Sequence, residues 1–505
     1  MMIDSVFSLW KADTPGGQVL VRQHGETVYE RCFGLAEMQN RVPVTEDSVF
    51  LLASVSKQFT VLAVALLWEQ GIIDIDKEVG EYLPEVGPFP GVTLRRMLHN
   101  VSGLRDQWEL LFFRGVRFSD HITMDDLLEA ITEQKQLNFA PGERYMYSNS
   151  NFTLLAAAAE RVTGKRWKDL LSDLVFKPAG LEHTYLKDDA GQIMPAAVYA
   201  YHDNGDGSFS YTPITFSLYG PTSVISNARD LARMLEIYRT GTVFPSKALD
   251  LLFERPALSD GTVSGYGGGL QFGVHNGRAY YGHGGVDSGY RAEVMTFPEE
   301  ELDIIVLANT DNVVPKEACL RISDMLLGTE FPARPAVEGQ FPPDGTWHAE
   351  DIDAAMQLTV KDGAVERLGH SIPLKALEDG WFQLGYLGEY ITYSGGRLLY
   401  RPGLRSYELK KVERASDVSL IGTYVDKENK TYLKIASKDG ALFLTRFRFG
   451  EVPLFELEKD VLCFDLDDDL PSRLRVLRSD GRPAGFFLSS GRARNMLYGR
   501  LTEGR

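Results

Sequence analysis

The chain has 505 residues, 44% hydrophobic and 24% charged, values of a globular protein with room for about three domains of ~150 residues each. Its net charge of −17 and isoelectric point near 5.1 argue against nucleic acid or an anionic membrane surface as a partner. No run of about 18 apolar residues occurs, and the three cysteines, Cys32, Cys319 and Cys463, are odd in number and too scattered for a disulfide framework or a metal motif.

From the start, Met1-Met2-Ile3-Asp4-Ser5 has neither the basic nor the apolar region of a signal peptide, so the expected compartment is the cytoplasm. Residues 18–22 and 27–33 read as strands around the hairpin signal His24-Gly25-Glu26. The stretch from Leu52 to Trp68 then reads as a helix that is apolar nearly all round, and therefore buried, with Gly71 as its C-terminal stop. It carries Ser54-Val55-Ser56-Lys57. Three residues apart, Ser54 and Lys57 share a helix face. Burial disfavours an ammonium ion, so a buried lysine beside a serine is a means of making a nucleophile. Ser8-Leu9-Trp10-Lys11 has the same spacing, but it runs into Thr14-Pro15-Gly16-Gly17 and not into a helix.

Met97 to Leu104 includes a polar turn, and helical patterns follow at 125–133, 151–162 and 227–238, the last capped by Ser226-Asn227. Beyond Gly265 the pattern changes to consecutive strands at 268–274, 278–281, 291–297 and 302–308, closed by a helix at 318–327. Strands early and late with helices between them predict an α+β domain whose sheet joins both ends of the segment. A proline-rich stretch from Phe331 to Gly345 reads as a linker. After it the sequence repeats: Gly345-Thr346-Trp347 and Lys361-Asp362-Gly363-Ala364 recur 77 positions on as Gly422-Thr423-Tyr424 and Lys438-Asp439-Gly440-Ala441. Pro373-Leu374 recurs as Pro453-Leu454 at 80. Two copies of one antiparallel unit are predicted, each a small barrel of about eight strands.

Two further motifs bear chemistry. Tyr145-Met146-Tyr147-Ser148-Asn149 precedes a helical pattern, and a tyrosine held near a lysine can shuttle a proton. Tyr281-Gly282-His283-Gly284-Gly285-Val286 lies on or beside an edge strand, where glycine lets a substrate backbone approach. Taken in order, Ser54-x-x-Lys57, Tyr147-Ser148-Asn149 and His283-Gly284-Gly285 resemble the penicillin-recognising serine hydrolases: class C β-lactamases, DD-carboxypeptidases, related esterases and D-aminopeptidases. Leu98 to Leu104, Gly220 to Ser226 and Val306 to Thr310 support the resemblance, which covers roughly residues 15–330. A tail of two barrels is similar to the arrangement in bacterial D-aminopeptidases.

The resemblance implies a β-lactamase/DD-peptidase-like catalytic domain over 1–331 and antiparallel barrels over 338–413 and 416–505. It implies Ser54 as the nucleophile that forms an acyl-enzyme, Lys57 as its base, and Tyr147 as the relay to the leaving amine. Asn149 and His283 would orient the substrate, Gly285 would leave room for its backbone, and the N–H groups of Ser54 and Val286 would form the oxyanion hole. Where many relatives have Lys-Thr-Gly this chain has His283-Gly284-Gly285, a weaker and conditional cation with no hydroxyl. A C-terminal carboxylate would be poorly held. The expected activity is release of N-terminal D-residues from small peptides or amides, with an esterase, a DD-carboxypeptidase or β-lactamase, or an inactive binding relative as alternatives. No cofactor, metal, nucleic acid or membrane is called for, and a homodimer is possible. A free ammonium needs an acid, and the resemblance implies that a loop of the final barrel enters the cleft to provide an aspartate, here from the stretch Asp465 to Ser472, with Asp468 named.

Overall fold

The computed structural model describes residues 2–328, 341–349, 357–367, 370–377, 380–384, 389–402, 406–466 and 470–501. They fall into two compact units, Met1–Gln107 with Arg117–Thr329, and Trp108–Val116 with Glu330–Arg505.

The first unit is built on a six-stranded antiparallel sheet, in spatial order Gln271–His275, Arg278–Asp287, Tyr290–Phe297, Leu302–Ala308, Gly17–Gln23 and Glu26–Phe33. Gly17–Gln23 pairs with Leu302–Ala308 from Gly17↔Ala308 to Gln23↔Leu302, so the sheet joins the two ends of the segment as expected. Leu302–Ala308 is buried at every position, because it lies between two strands and under the helices Ala228–Thr240 and Pro315–Leu327. The hairpin at His24-Gly25 turns on two left-handed residues, φ 52° and 80°. Asn227 caps the helix Ala228–Thr240 by accepting from the Asp230 N–H at 2.9 Å.

Several boundaries differ from the sequence reading, and two of them bear on the site. Residues 268–270 form a loop, whereas the strand expected to stop at 281 continues to Asp287. Glycine weakens a strand, so His283-Gly284-Gly285 reads as punctuation; pairing with Tyr290–Phe297, from Tyr281↔Thr296 to Asp287↔Tyr290, overrides it.

In the second unit, Gly345–Ala349 through Tyr407–Lys411 close an eight-stranded barrel around Trp347, Leu358, Val365, Ile391 and Leu409. Glu413–Arg414 through Ala493–Arg500 form a ten-stranded antiparallel sheet, the second, nearly closed barrel. The repeated residues hold equivalent places. Trp347 and Tyr424 are buried in the strands Gly345–Ala349 and Gly422–Asp426, and Asp362-Gly363 and Asp439-Gly440 make left-handed turns, with φ of 50° and 74° against 52° and 81°. Trp108–Val116 also belongs to this unit. Leu110 O accepts from Asn429 Nδ2 at 3.0 Å, Phe112 O from Arg446 Nη1 at 3.2 Å and Phe113 O from Thr431 Oγ1, so side chains of the last barrel satisfy carbonyls at the end of this helix. Among the described residues no helix is long and apolar enough to cross a membrane, and the three cysteines are unpaired.

Candidate active site

Ser54 lies on a single 3₁₀ turn, Ala53–Ser56, that leads into the α-helix Lys57–Glu69. Ala53 enters the turn with φ 47°, a left-handed conformation that costs a non-glycine residue energy and persists only where its surroundings enforce it. The helix is buried along most of its length, ends at Gly71 with φ 70°, and encloses Lys57 completely. Lys57 Nζ stands 3.0 Å from Ser54 Oγ and 2.9 Å from Pro221 O. It also lies over two rings, 4.7 Å from the centroid of Tyr147 and 5.3 Å from that of Phe152.

The stretch 220–226 clamps this turn. Gly220 O accepts from Thr60 Oγ1 at 2.6 Å, Val224 N–H donates to Ser56 Oγ at 3.1 Å, and Leu52 N–H donates to Val224 O at 2.9 Å. Gly220 has φ 97°, and a Cβ there would stand 2.4 Å from Phe152 O, so only glycine fits.

A second clamp holds the Tyr147 motif. Asn100 O accepts from Met146 N–H at 3.0 Å, and Asn100 Oδ1 accepts from Ser148 N–H at 3.0 Å and Asn151 Nδ2 at 2.9 Å. Asp106 Oδ2 accepts from both the main-chain N–H of Asn149, at 2.5 Å, and its Nδ2, at 2.9 Å. Asn149 opens the helix Asn149–Thr163, where a carboxylate is favoured by the unsatisfied N–H groups. Because a carboxylate only accepts, it also fixes which way the Asn149 amide points.

The strand Arg278–Asp287 forms the third side. Its outer neighbour ends with Gln271 opposite Gly282, so His283 to Asp287 is an edge. Gly285 rests against the Ser54 turn: a Cβ there would stand 2.2 Å from Leu52 O. Val286 is 68% exposed beside it. His283 is buried, with Nδ1 2.6 Å from Gly284 O and Nε2 3.1 Å from Tyr266 Oη. A carbonyl only accepts, so Nδ1 carries the hydrogen, and Nε2 is left to accept from the Tyr266 hydroxyl. Burial, and after it the charge of Lys57, pushes the imidazole pKa down to about 3. His283 is a neutral ring at physiological pH. The Tyr266 phenol, raised well above its ordinary value by burial, remains a donor.

Ser54, Lys57, Tyr147 and His283 are thus neighbours; Asn149 is tied in through Asp106, and Gly285 and Val286 through the strand. Asp468 lies outside the described residues. Sequence reasoning missed Asp106, Asn100, Tyr266 and Thr222. Tyr266 follows Gly265 in a glycine-rich run, and Gly269 packs so closely that a Cβ would stand 2.9 Å from Gln58 Cα; such a run was a usable signal of close backbone approach. Among the described residues no group of three His, Cys, Asp or Glu is placed to hold a metal ion.

Residues 5–323 match the Beta-lactamase family. The chain belongs to that family. A D-aminopeptidase of Cereibacter sphaeroides is 28% identical over 99% of this chain and 98% of its own length. Among solved structures, an octameric penicillin-binding protein homologue from Pyrococcus abyssi superposes with a TM-score of 0.59 at 20% identity, covering 81% of this chain and 98% of that one. The D-amino acid amidase from Ochrobactrum anthropi SV3, complexed with D-phenylalanine, gives 0.54 at 20% identity over 65% and 100%. Within this Beta-lactamase family chain, the three clamps account for the stretches around residues 100, 222 and 283 as one frame about Ser54 and Lys57.

Proposed function

We propose that the chain is a serine hydrolase that works through an acyl-enzyme and releases N-terminal D-amino acids from peptides or amides. The observation that carries this is a fully buried lysine 3.0 Å from a serine hydroxyl on a strained turn. Lys57, as the amine, takes the Ser54 proton while Oγ attacks the substrate carbonyl. The N–H groups of Ser54 and Val286 receive the developing oxyanion. Tyr147 passes the proton to the leaving amine, which departs as the acyl-enzyme forms, and water then hydrolyses that ester. Asn149, with its amide oriented by Asp106, positions the substrate.

Two further points support an aminopeptidase over a carboxypeptidase. The neutral His283 offers a C-terminal carboxylate no cation, since both its nitrogens are engaged with Gly284 O and Tyr266. The D-aminopeptidase relative matches this chain through both barrels. Paired D- and L-alanine p-nitroanilides, run beside penicillin and a D-Ala-D-Ala peptide, test the reading. Faster turnover of the D-anilide than of the other three is expected; hydrolysis chiefly of penicillin or of the C-terminal D-Ala bond would refute it.

A further inference from the structure

An enzyme that selects a free N-terminus has to meet an ammonium close to its nucleophile. In an α-amino acyl group the nitrogen is two bonds from the scissile carbon, about 2.5 Å away, so a carboxylate bonded to it stands about 5 Å from that carbon. A partner for the ammonium must therefore border the Ser54 turn itself.

The edge strand supplies such a group. Side chains two apart share a face, so His283, Gly285 and Asp287 point the same way, toward the turn on which Gly285 rests. Asp287 follows Val286 directly and is partly exposed. Its Oδ2 accepts from Thr222 Oγ1 at 3.2 Å, and Thr222 is the residue after Pro221, whose carbonyl holds Lys57 Nζ. Besides that hydroxyl it has the main-chain N–H of Ser288, and two neutral donors are thin support for a carboxylate so placed. Arg291, four residues on, turns its Nη1 to Ser288 O and Tyr290 O, and its Nη2 lies 3.7 Å from Asp311. Among the described residues no salt bridge reaches Asp287. Burial pushes its carboxyl up to about 7, against the opposing pull of Thr222, Lys57, Arg291 and the Ser288 N–H. A second acid on the sheet, Glu293, pairs with Gly284 and so takes the opposite face, where Lys316 of the helix Pro315–Leu327 acts on it and it acts on Cys319.

We propose that Asp287 takes the α-ammonium of the substrate, with Thr222 positioning its carboxylate beside the nucleophile turn. The assignment rests on the aminopeptidase reading and locates its amine specificity on the catalytic strand. The bound ammonium supplies the cation that the folded protein leaves out, and a neutral N-acetyl group forfeits it.

The test compares D-alanine p-nitroanilide with its N-acetyl twin, each rate normalised to sites titrated by a slow neutral ester, so that a misfolded fraction does not count. In the wild type the free amine is preferred. Asp287→Asn should lower the ratio of the two kcat/KM values by about 10–100-fold, the usual worth of a charge-assisted hydrogen bond. Asp287→Glu, which keeps the charge, should restore part of it. A ratio that survives Asp287→Asn in titratable enzyme overturns the proposal, as does a ratio that collapses in Asp468→Asn and not in Asp287→Asn. A wild type that cleaves both substrates equally overturns the aminopeptidase reading itself, which is a different result.

Discussion

At the scale of single residues, the account turns on how Lys57 is kept. Its Nζ touches a hydroxyl and a carbonyl and lies over the faces of Tyr147 and Phe152. The proposed function makes Tyr147, whose ring is that close, the group through which the proton leaves. Replacing Lys57 with Ala or Tyr147 with Phe should each lower kcat by about 10²–10⁴-fold, the range of general acid–base catalysis. Because both serve one proton path, the double mutant should be less than about tenfold slower than the worse single mutant. Losses that multiply, measured under single turnover, would place the two residues on separate paths.

At the scale of elements, the strand Arg278–Asp287 does two things at neighbouring positions. A Cβ at Gly285 would stand 2.2 Å from Leu52 O, main chain against main chain, so the strand or the nucleophile turn has to move. At Gly284 the close approach would be to Glu293 Oε2, at 2.7 Å, the end of a side chain, while the main chain, Ala292 O, stands at an ordinary 3.8 Å. Gly285→Ala should therefore displace the Val286 N–H and cost about 10²-fold in kcat, the effect of a misplaced oxyanion donor. Gly284→Ala should cost far less, since Glu293 can swing away. Equal losses in the two variants, both folded by circular dichroism, would show that the contact with Leu52 does not set the site.

At the scale of the whole molecule, what was legible in the sequence was what is local. Ser54 and Lys57 are one turn apart, Asp362-Gly363 and Asp439-Gly440 are turn signals in themselves, and the 77-residue repeat marks equivalent places in the two barrels. The residues that were missed act across long separations. Asp106 and Asn149 are 43 positions apart, and Thr222 and Asp287 are 65 apart, so no window shows either pair. Asp287 also lies past three glycines, beyond the point at which the sequence reading ended the strand. The segment Trp108–Val116 was unreadable for the same reason, since its partners, Asn429, Thr431 and Arg446, lie more than 300 positions on. The strand over 302–308 and a sheet joining both ends of the segment were legible, whereas the burial of that strand at every position shows only in the fold.

The frame around Ser54 has meaning only if that hydroxyl becomes acylated. Intact mass spectrometry after mixing with a slow ester or a β-lactam measures this directly. The account predicts one acyl adduct on the wild type, mapped by peptide digestion to Ser54, and none on Ser54→Ala. An adduct of the same mass that persists in Ser54→Ala, on Ser8 or anywhere else, would contradict it.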